Sequence, residues 1–307
     1  MKLSIVIPVY NEVQSIERLY LEIVQSLDTS EYEIIFIDDG STDGSSEKIV
    51  ELIQKNQKLK LIQFYRNYGK SAALSEGFKQ ADGEYVVTMD ADLQDDPSEI
   101  KNLIIKLEEG YDLVSGWKKN RKDPLSKRIP SKLFNFITRL FTSVKIHDFN
   151  CGIKIYRKSV IKTLEIYGGR HRYIPALAGQ KKFKITEIIV NHRAREFGIT
   201  KYGGRRFFHG FFDLISVIFL SRYIQSPLYF FGQLGLLSFM SGFSIEGYIL
   251  YLKYVLKEPF ATHIALLIFG VLLIFIGIQF FSIGLIGEMI ANSNQDKESR
   301  IKKIHKV

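Results

Sequence analysis

The sequence predicts an α/β fold built on a mostly parallel sheet, followed by helices that belong at a membrane. Three observations lead there. Strand-like and helix-like segments alternate through the first half of the chain. The strand-like segments are continuous apolar runs rather than alternating ones, as in parallel sheets covered by helices on both faces. Past about residue 205 the composition turns aromatic and apolar.

The elements follow in order. LSIVIPV (3–9) is a β-branched run stopped by a turn. Over 13–27 the apolar residues Val13, Ile16, Leu19, Ile23 and Leu27 recur at helical spacing. EIIFIDDGSTDGS (33–45) is a buried strand that runs into a Gly/Ser/Asp loop. Residues 46–56 read as helix, 59–64 as strand, 69–80 as helix, 84–90 as strand and 97–109 as helix. Ligands of such sheets bind beyond the carboxyl ends of the strands. Residues 8–12, 38–41, 66–70 and 90–94 lie at those ends, so four loops should converge on one crevice.

The C-terminal third reads differently. Residues 205–224 are aromatic and apolar with basic ends, as in a helix lying in a membrane interface. Residues 227–252 are long enough to cross a bilayer despite Gln233 and Glu246, and 263–287 more clearly so, with Gln279 as the main polar interruption. The ten residues between allow only a hairpin. Arg205, Arg206 and Arg222 precede the first span. Lys297, Arg300, Lys302, Lys303 and Lys306 follow the second, so the positive-inside bias places both flanks in the cytoplasm, weakened slightly by Lys253 and Lys257. The plainer alternative is a pair of buried helices in a soluble core.

Composition bounds the rest. The chain has 307 residues, 46% of them hydrophobic, and a single cysteine, Cys151, which excludes an intrachain disulfide. A net charge of +9 points to an anionic partner. The opening run of MKLSIVIPVYNE is too short for a signal peptide core, so the first part of the chain is expected in the cytoplasm. The six histidines have no zinc-like spacing.

VTMDADLQDDP (87–97) carries four aspartates in eleven residues. Alternate residues of an extended strand end point the same way, so Asp90, Asp92 and Gln94 would present oxygen donors to one side, as hard divalent cations require. A solvated acidic turn is the plainer reading. Asp95-Asp96-Pro97 is expected to cap the next helix, with Pro97 in its first turn. In the second loop, Asp39 is expected to face the crevice while Asp43 caps a helix. Pro8 to Glu12 offers an aromatic ring and a carboxylate at the first strand end. Asn67-Tyr68-Gly69-Lys70-Ser71 is no P-loop, because the position needing the first glycine is Phe64. It reads instead as a helix start with Lys70 near an anion. Residues 117–132 hold seven basic residues and one acidic one. An apolar face follows in Leu133, Phe134, Phe136, Ile137, Leu140 and Phe141. Together they suit an anionic membrane surface.

IVIPVYNE, IDDGSTDGS, RNYGKSAAL and DADLQDDP, in that order and spacing, resemble the family 2 glycosyltransferases of GT-A (Rossmann-like) fold. Within them the chain is similar to the polyprenyl-phosphate glycosyltransferases, the dolichol-phosphate mannose synthases and bacterial bactoprenol-phosphate glucosyltransferases. The resemblance implies a catalytic domain over 1–205, an interface helix over 206–226, a two-helix membrane hairpin over 227–290 and a basic tail over 291–307. It implies that Pro8, Tyr10, Glu12, Ile37 and Asp39 hold the nucleoside, that Asp90 and Ala91 lie against the nucleotide sugar, and that Asp92 and Gln94 bind Mg²⁺ or Mn²⁺. Arg121, Arg128 and Ser131 match the family's clamp on the lipid phosphate, with Lys127 as the alternative to Arg128. HDFNCGIKI matches its Asp-x-x-x-Gly segment through Asp148 and Gly152, with Lys154 where arginine is commoner. Asp148 is thereby the best candidate for an essential acidic residue at the reacting centre, orienting the acceptor or a basic neighbour, with a turn cap as its plainer role. Arg193, Arg195 and Lys201 match a basic segment that closes over the diphosphate, with Thr200 where the family has serine.

The implied activity is inverting transfer of a sugar, glucose from UDP-glucose first, to polyprenyl phosphate at the cytoplasmic membrane face. GDP-mannose or UDP-GlcNAc as donor, or a polysaccharide acceptor, is the alternative. No nucleic-acid partner is expected, and a homo-oligomer is plausible. A processive synthase needs more spans than two and a Gln-x-x-Arg-Trp motif, which the single Trp117, after Gly116, cannot supply. A silent nucleotide-binding scaffold would have no need of Asp90, Asp92 and Gln94 together.

Overall fold

The computed structural model describes residues 2–27, 31–119, 131–132, 135–140, 142, 144–164, 166, 170–194, 196, 219, 223 and 226–294. The chain divides into two compact units, Met1–Val217 and Ile218–Val307.

The first unit holds a seven-stranded sheet of order β3-β2-β1-β4-β6-β5-β7. Its strands are β1 (Leu3–Val9), β2 (Tyr32–Asp38), β3 (Leu59–Gln63), β4 (Tyr85–Thr88), β5 (Leu113–Trp117), β6 (Lys154–Arg157) and β7 (Ile185–Ile189). All pairings are parallel except those of β6, which runs against both β4 and β5. That reversal matters for function. The carboxyl ends of the other strands share one edge of the sheet, and the amino end of β6, Lys154, comes to the same edge opposite Thr88 and Ser115.

The period of two along the strands sorts side chains onto two faces. Ile5, Ile7, Ile34 and Phe36 pack with Ile16, Leu19 and Ile23 of α1 (Val13–Ser26), Ile49 and Leu52 of α2 (Ser45–Lys55), and Ile100, Leu103 and Leu107 of α4 (Glu99–Glu108). On the other face, Val6, Ile35, Ile37 and Val86 meet Ala73, Leu74 and Phe78 of α3 (Lys70–Gln80). They also meet Val160 and Ile161 of α5 (Lys158–Thr163) and Ile174 and Ala178 of α6 (Ile174–Gln180). The alternation expected from the sequence is thus present, with strand ends within a residue or two. The fourth strand, expected to reach residue 90, stops at Thr88.

Residues 135–140 are helical with an inverted pattern. Asn135 and Thr138 are buried, and the Asn135 side-chain oxygen accepts the Phe149 N–H (3.3 Å), while Phe136 and Leu140 are exposed. This segment turns its apolar side outward.

The second unit is a helical hairpin of α7 (Pro227–Tyr254) and α8 (Ile264–Asn294), both long and apolar enough to cross a membrane. Their large side chains, such as Leu236, Leu237, Phe243, Phe275, Ile278 and Ile286, are exposed, the reverse of buried core helices. The seam is made of glycine. A Cβ on Gly235 would lie 2.8 Å from the Gly277 carbonyl oxygen, one on Gly277 2.7 Å from that of Gly235, and one on Gly242 2.6 Å from that of Gly270. Small residues let apolar helices approach this closely. Opposite Gly270, the Glu246 carboxyl fills the space where a side chain would stand.

Candidate active site

The crevice is made by loops that bind one another. Asn11, at a positive φ of 52°, donates its N–H to Ser41 Oγ (2.8 Å), and its side-chain oxygen accepts the Thr42 N–H (2.8 Å). The Glu12 N–H donates to Ser45 Oγ (3.0 Å). Asp43 accepts the first N–H of α1, from Val13 (3.1 Å), and that of α2, from Ser45 (3.0 Å), so one carboxylate caps two helices. The β1 and β2 loops are thereby one rigid ledge.

Asp39 is buried and fastens a third loop to this ledge. Its two oxygens accept the N–H groups of Tyr68 (2.6 Å) and Gly69 (2.9 Å). Burial raises its pKa against those two hydrogen bonds. Gly40 is required twice over. Its φ is +75°, and a Cβ would lie 2.5 Å from the Arg66 carbonyl carbon. Of the other residues expected to hold a nucleoside, Pro8 sits within β1 opposite Ile37, and Tyr10 and Glu12 follow on the ledge, half-buried. Ile37 is wholly buried under α3, so its side chain belongs to the core and not to the crevice surface.

The acidic loop departs from its expected geometry. Beyond Thr88 the chain turns over 91–93, and Leu93 has a φ of 60°, so no extended strand carries the aspartates. Exposure nevertheless alternates: Asp90, Asp92 and Gln94 are half-buried, while Ala91, Leu93 and Asp95 are buried. Asp92 Oδ1 accepts the Gln94 N–H (3.3 Å).

Protein cations relieve much of the aspartates' mutual repulsion. Lys70, the first residue of α3, bonds to Asp90 Oδ1 through its ammonium. Burial opposes the charge on Asp90, but Lys70, then Lys118 and Lys154, hold its pKa at about 2. Burial likewise opposes the charge on Lys70, yet Asp90 and its neighbours keep its pKa raised. Lys118 reaches in from the end of β5 and pairs with the buried Asp95 (2.7 Å). Asp95 therefore does not cap α4, as the sequence reading expected. Asp96 alone does so, accepting the Ser98 N–H (3.1 Å) and hydroxyl (2.8 Å). Pro97 lies in the turn before α4, which starts at Glu99. Asp96 also binds Arg193 (3.0 Å), whose other nitrogen pairs with Glu22 (2.6 Å). Arg193 thus fastens the segment after β7 to the site's rim, not over its centre.

Asp148 is buried, and its carboxylate accepts the Asn150 N–H (3.1 Å), closing a turn. Gly152 follows for a steric reason: a Cβ there would stand 2.5 Å from Asp95 Oδ2 and 2.7 Å from Asp90 Oδ2. Two carboxylates occupy the space a side chain would take. Lys154 is buried and donates to the Cys151 carbonyl. Burial lowers its pKa, while Asp148 and Asp90 favour its charged form. Burial also pushes the Cys151 thiol up to about 12, which makes it inert. Ser131 is helical and half-buried. Arg121, Lys127, Arg128, Arg195 and Lys201 lie outside the described residues.

The family model for Glycosyl transferase family 2 matches residues 4–165, which include every loop named above except the Arg193 segment. The chain belongs to that family. It is 38% identical to the dodecaprenyl-phosphate galacturonate synthase of Rhizobium johnstonii, over 95% of this chain and 88% of that one. It is 35% identical to the undecaprenyl-phosphate 4-deoxy-4-formamido-L-arabinose transferase of Salmonella paratyphi B, over 97% and 91%. Among solved structures, a glucosyl-3-phosphoglycerate synthase from Mycobacterium tuberculosis with Mn²⁺ and UDP-glucose has a similar fold. Its TM-score is 0.55 at 18% identity, over 71% of this chain and 79% of that one. The mannosyltransferase PcManGT from Pyrobaculum calidifontis, with GDP-mannose and Mn²⁺, scores 0.52 at 18%, over 71% and 63%.

The donor set of this glycosyltransferase fits a divalent cation held jointly with substrate. Among the described residues no three His, Cys, Asp or Glu side chains are grouped to hold a metal ion alone. Asp92 and Gln94 offer a carboxylate and an amide oxygen on the half-exposed side of the loop, and Mg²⁺-type ions complete such sites with phosphate oxygens and water.

Two site residues escaped the sequence reading. Lys118 stands in the sequence only as one of seven basic residues, and the short strand that carries it to the site has no local signal of its own. His171, in the 3₁₀ turn Arg170–Tyr173, joins Ser71 Oγ through Nδ1 (2.9 Å). Nothing in its sequence context marks it.

Proposed function

We propose that this glycosyltransferase moves a sugar from a UDP-sugar to polyprenyl phosphate, with inversion, at the cytoplasmic face of a membrane that α7 and α8 span. The observation that carries the reading is extent. Identity of 38% to a protein named for dodecaprenyl-phosphate transfer runs over 95% of the chain, crevice and hairpin alike. The outward apolar side chains of 135–140 and of the hairpin support a lipid environment.

The residues divide the work as follows. The ledge of Tyr10, Glu12 and Asp39 receives the nucleoside, Asp39 chiefly by holding the 67–69 loop in place. Asp90, fixed by Lys70, meets the sugar. Asp92 and Gln94 hold Mg²⁺ or Mn²⁺, whose charge offsets that developing on the leaving diphosphate. Arg121 and Arg128 (or Lys127), with Ser131, bind the lipid phosphate, and Lys201 closes on the diphosphate. An acceptor phosphate is already anionic and needs little deprotonation, so Asp148 orients its surroundings, Lys154 included, and is not a general base.

Glucose is the first sugar to test. The relatives named for galacturonate and for 4-deoxy-4-formamido-L-arabinose put modified sugars next. Purified protein in detergent, given polyprenyl phosphate, Mg²⁺ or Mn²⁺ and labelled UDP- and GDP-sugars, should transfer label from one donor to the lipid phase. The label should vanish with EDTA and in Asp92→Asn. No lipid label from any donor, in protein that binds nucleotide, would refute the acceptor.

A further inference from the structure

His171, among the described residues, is a titratable side chain bonded to the start of α3 that the proposed chemistry leaves unused. Its surroundings fix the state of its ring. Ser71 is buried, and its Oγ accepts the backbone N–H of His171 (3.0 Å) while lying 2.9 Å from the same residue's Nδ1. A serine hydroxyl has one proton to give. If Nδ1 carried a hydrogen, Oγ would accept twice and its own proton would be buried without an acceptor. If the Ser71 hydroxyl donates to Nδ1, every group is paired. The second arrangement places the imidazole hydrogen on Nε2.

The ring is also kept neutral. Burial, then Lys70 and Arg172, hold its pKa well below the ordinary value, against the pull of Asp90. Its hydrogen bonds locate it: His171 is tied to Ser71, and the preceding residue, Lys70, bonds to Asp90 of the acidic loop. Ser71 directly follows Lys70 on the first turn of α3. Among the described residues no protein group bonds to Nε2. A fixed, uncharged donor therefore stands beside a lysine–aspartate pair with its hydrogen unspent.

We propose that His171 is a specificity-determining residue, whose Nε2–H donates to an oxygen substituent of the donor sugar when that sugar enters the Lys70–Asp90 corner. This rests on the nucleotide-sugar reading above. A phosphate would call for a cation, as Lys70 and the basic segment provide. A neutral donor beside a carboxylate suits a sugar oxygen, where Asp90 accepts from one hydroxyl and Nε2–H donates to a neighbouring oxygen. A site built to bond one substituent discriminates against sugars that lack it.

Calorimetric titration of the full-length protein in detergent, with Mg²⁺, tests this using UDP alone, UDP-glucose, UDP-galacturonate and UDP-GlcNAc. His171→Ala should weaken the best-bound UDP-sugar about tenfold, the scale of one buried hydrogen bond, and leave UDP within about twofold. His171→Gln, which keeps a terminal N–H, should recover most of the loss. Ser71→Ala, which frees the tautomer, should weaken the UDP-sugar and spare UDP. Equal weakening of UDP and UDP-sugar in His171→Ala would mean a structural role and overturn the proposal. So would unchanged binding of both. These titrations need no acceptor, so a failure of lipid labelling alone leaves the result for His171 standing. Wild-type protein that binds none of the UDP-sugars would overturn both readings.

Discussion

Gly152 shows how much of this site depends on single atoms. The space its missing side chain leaves is filled by oxygens of Asp90 and Asp95. Gly152→Ala should cut sugar transfer by at least about tenfold, roughly 1.4 kcal/mol, while circular dichroism shows a folded protein. His171 makes a second prediction at this scale. Its pKa lies below the ordinary 6.5 that the unfolded chain would have. The unfolded state therefore binds more protons as pH falls through 6.5, and the residue's contribution is present above that value and lost below it. Melting in detergent should weaken from pH 7 to pH 5, with a shallower slope in His171→Gln. An unaltered slope would show that the ring titrates freely. The sequence made the aspartates and Lys70 conspicuous but not the other counter-charges, because Lys118 and Lys154 reach the site through short strands that local patterning does not mark.

Those strands are the lesson at the level of elements. β1 to β4 were legible because each is an apolar run ended by a turn and followed by a helical repeat. β5, β6 and β7 are four or five residues long, and the helices described between β6 and β7 are only six and seven residues. Their assignment depends on pairing partners far along the chain, which local patterning does not record. The Lys118–Asp95 pair is what this hidden part of the sheet contributes. It ties the end of β5 to the acidic loop after β4, with Asp95 wholly buried and Lys118 nearly so. Lys118→Met would leave a buried carboxylate without its partner, a loss of about 3–5 kcal/mol. Denaturant titration should show it, and adding Asp95→Asn should restore part of it. If Lys118→Met alone were neutral, the pair would be solvated and not structural.

At the scale of the molecule, the division into two units near residue 217 follows a change visible in composition. The sequence placed that boundary near 205, where basic and aromatic residues begin. What it could not show was the inner surface of the hairpin, because glycines in an apolar run look like interruptions until their neighbours are known. Gly277→Leu should force α7 and α8 apart. The expected result is a lower melting temperature in detergent with UDP binding unchanged, read by calorimetry on the same sample. A melting temperature equal to wild type would mean the seam carries no packing.

The seam also limits how this protein can change length. Gly235 and Gly242 are seven residues apart, as are Gly270, Gly277 and Gly284, and each residue of a helix turns it by about 100°. A single insertion between the facing glycines would swing everything beyond it off the seam and drive bulky side chains into the partner helix. Insertions there are tolerable only in sevens, matched on both helices, each adding about 10.5 Å of helix. Fitting a thicker or thinner bilayer in smaller steps must fall to the outer helix ends and the connecting loop, so in related chains length differences should collect there and spare the two facing stretches, 235–242 and 270–277.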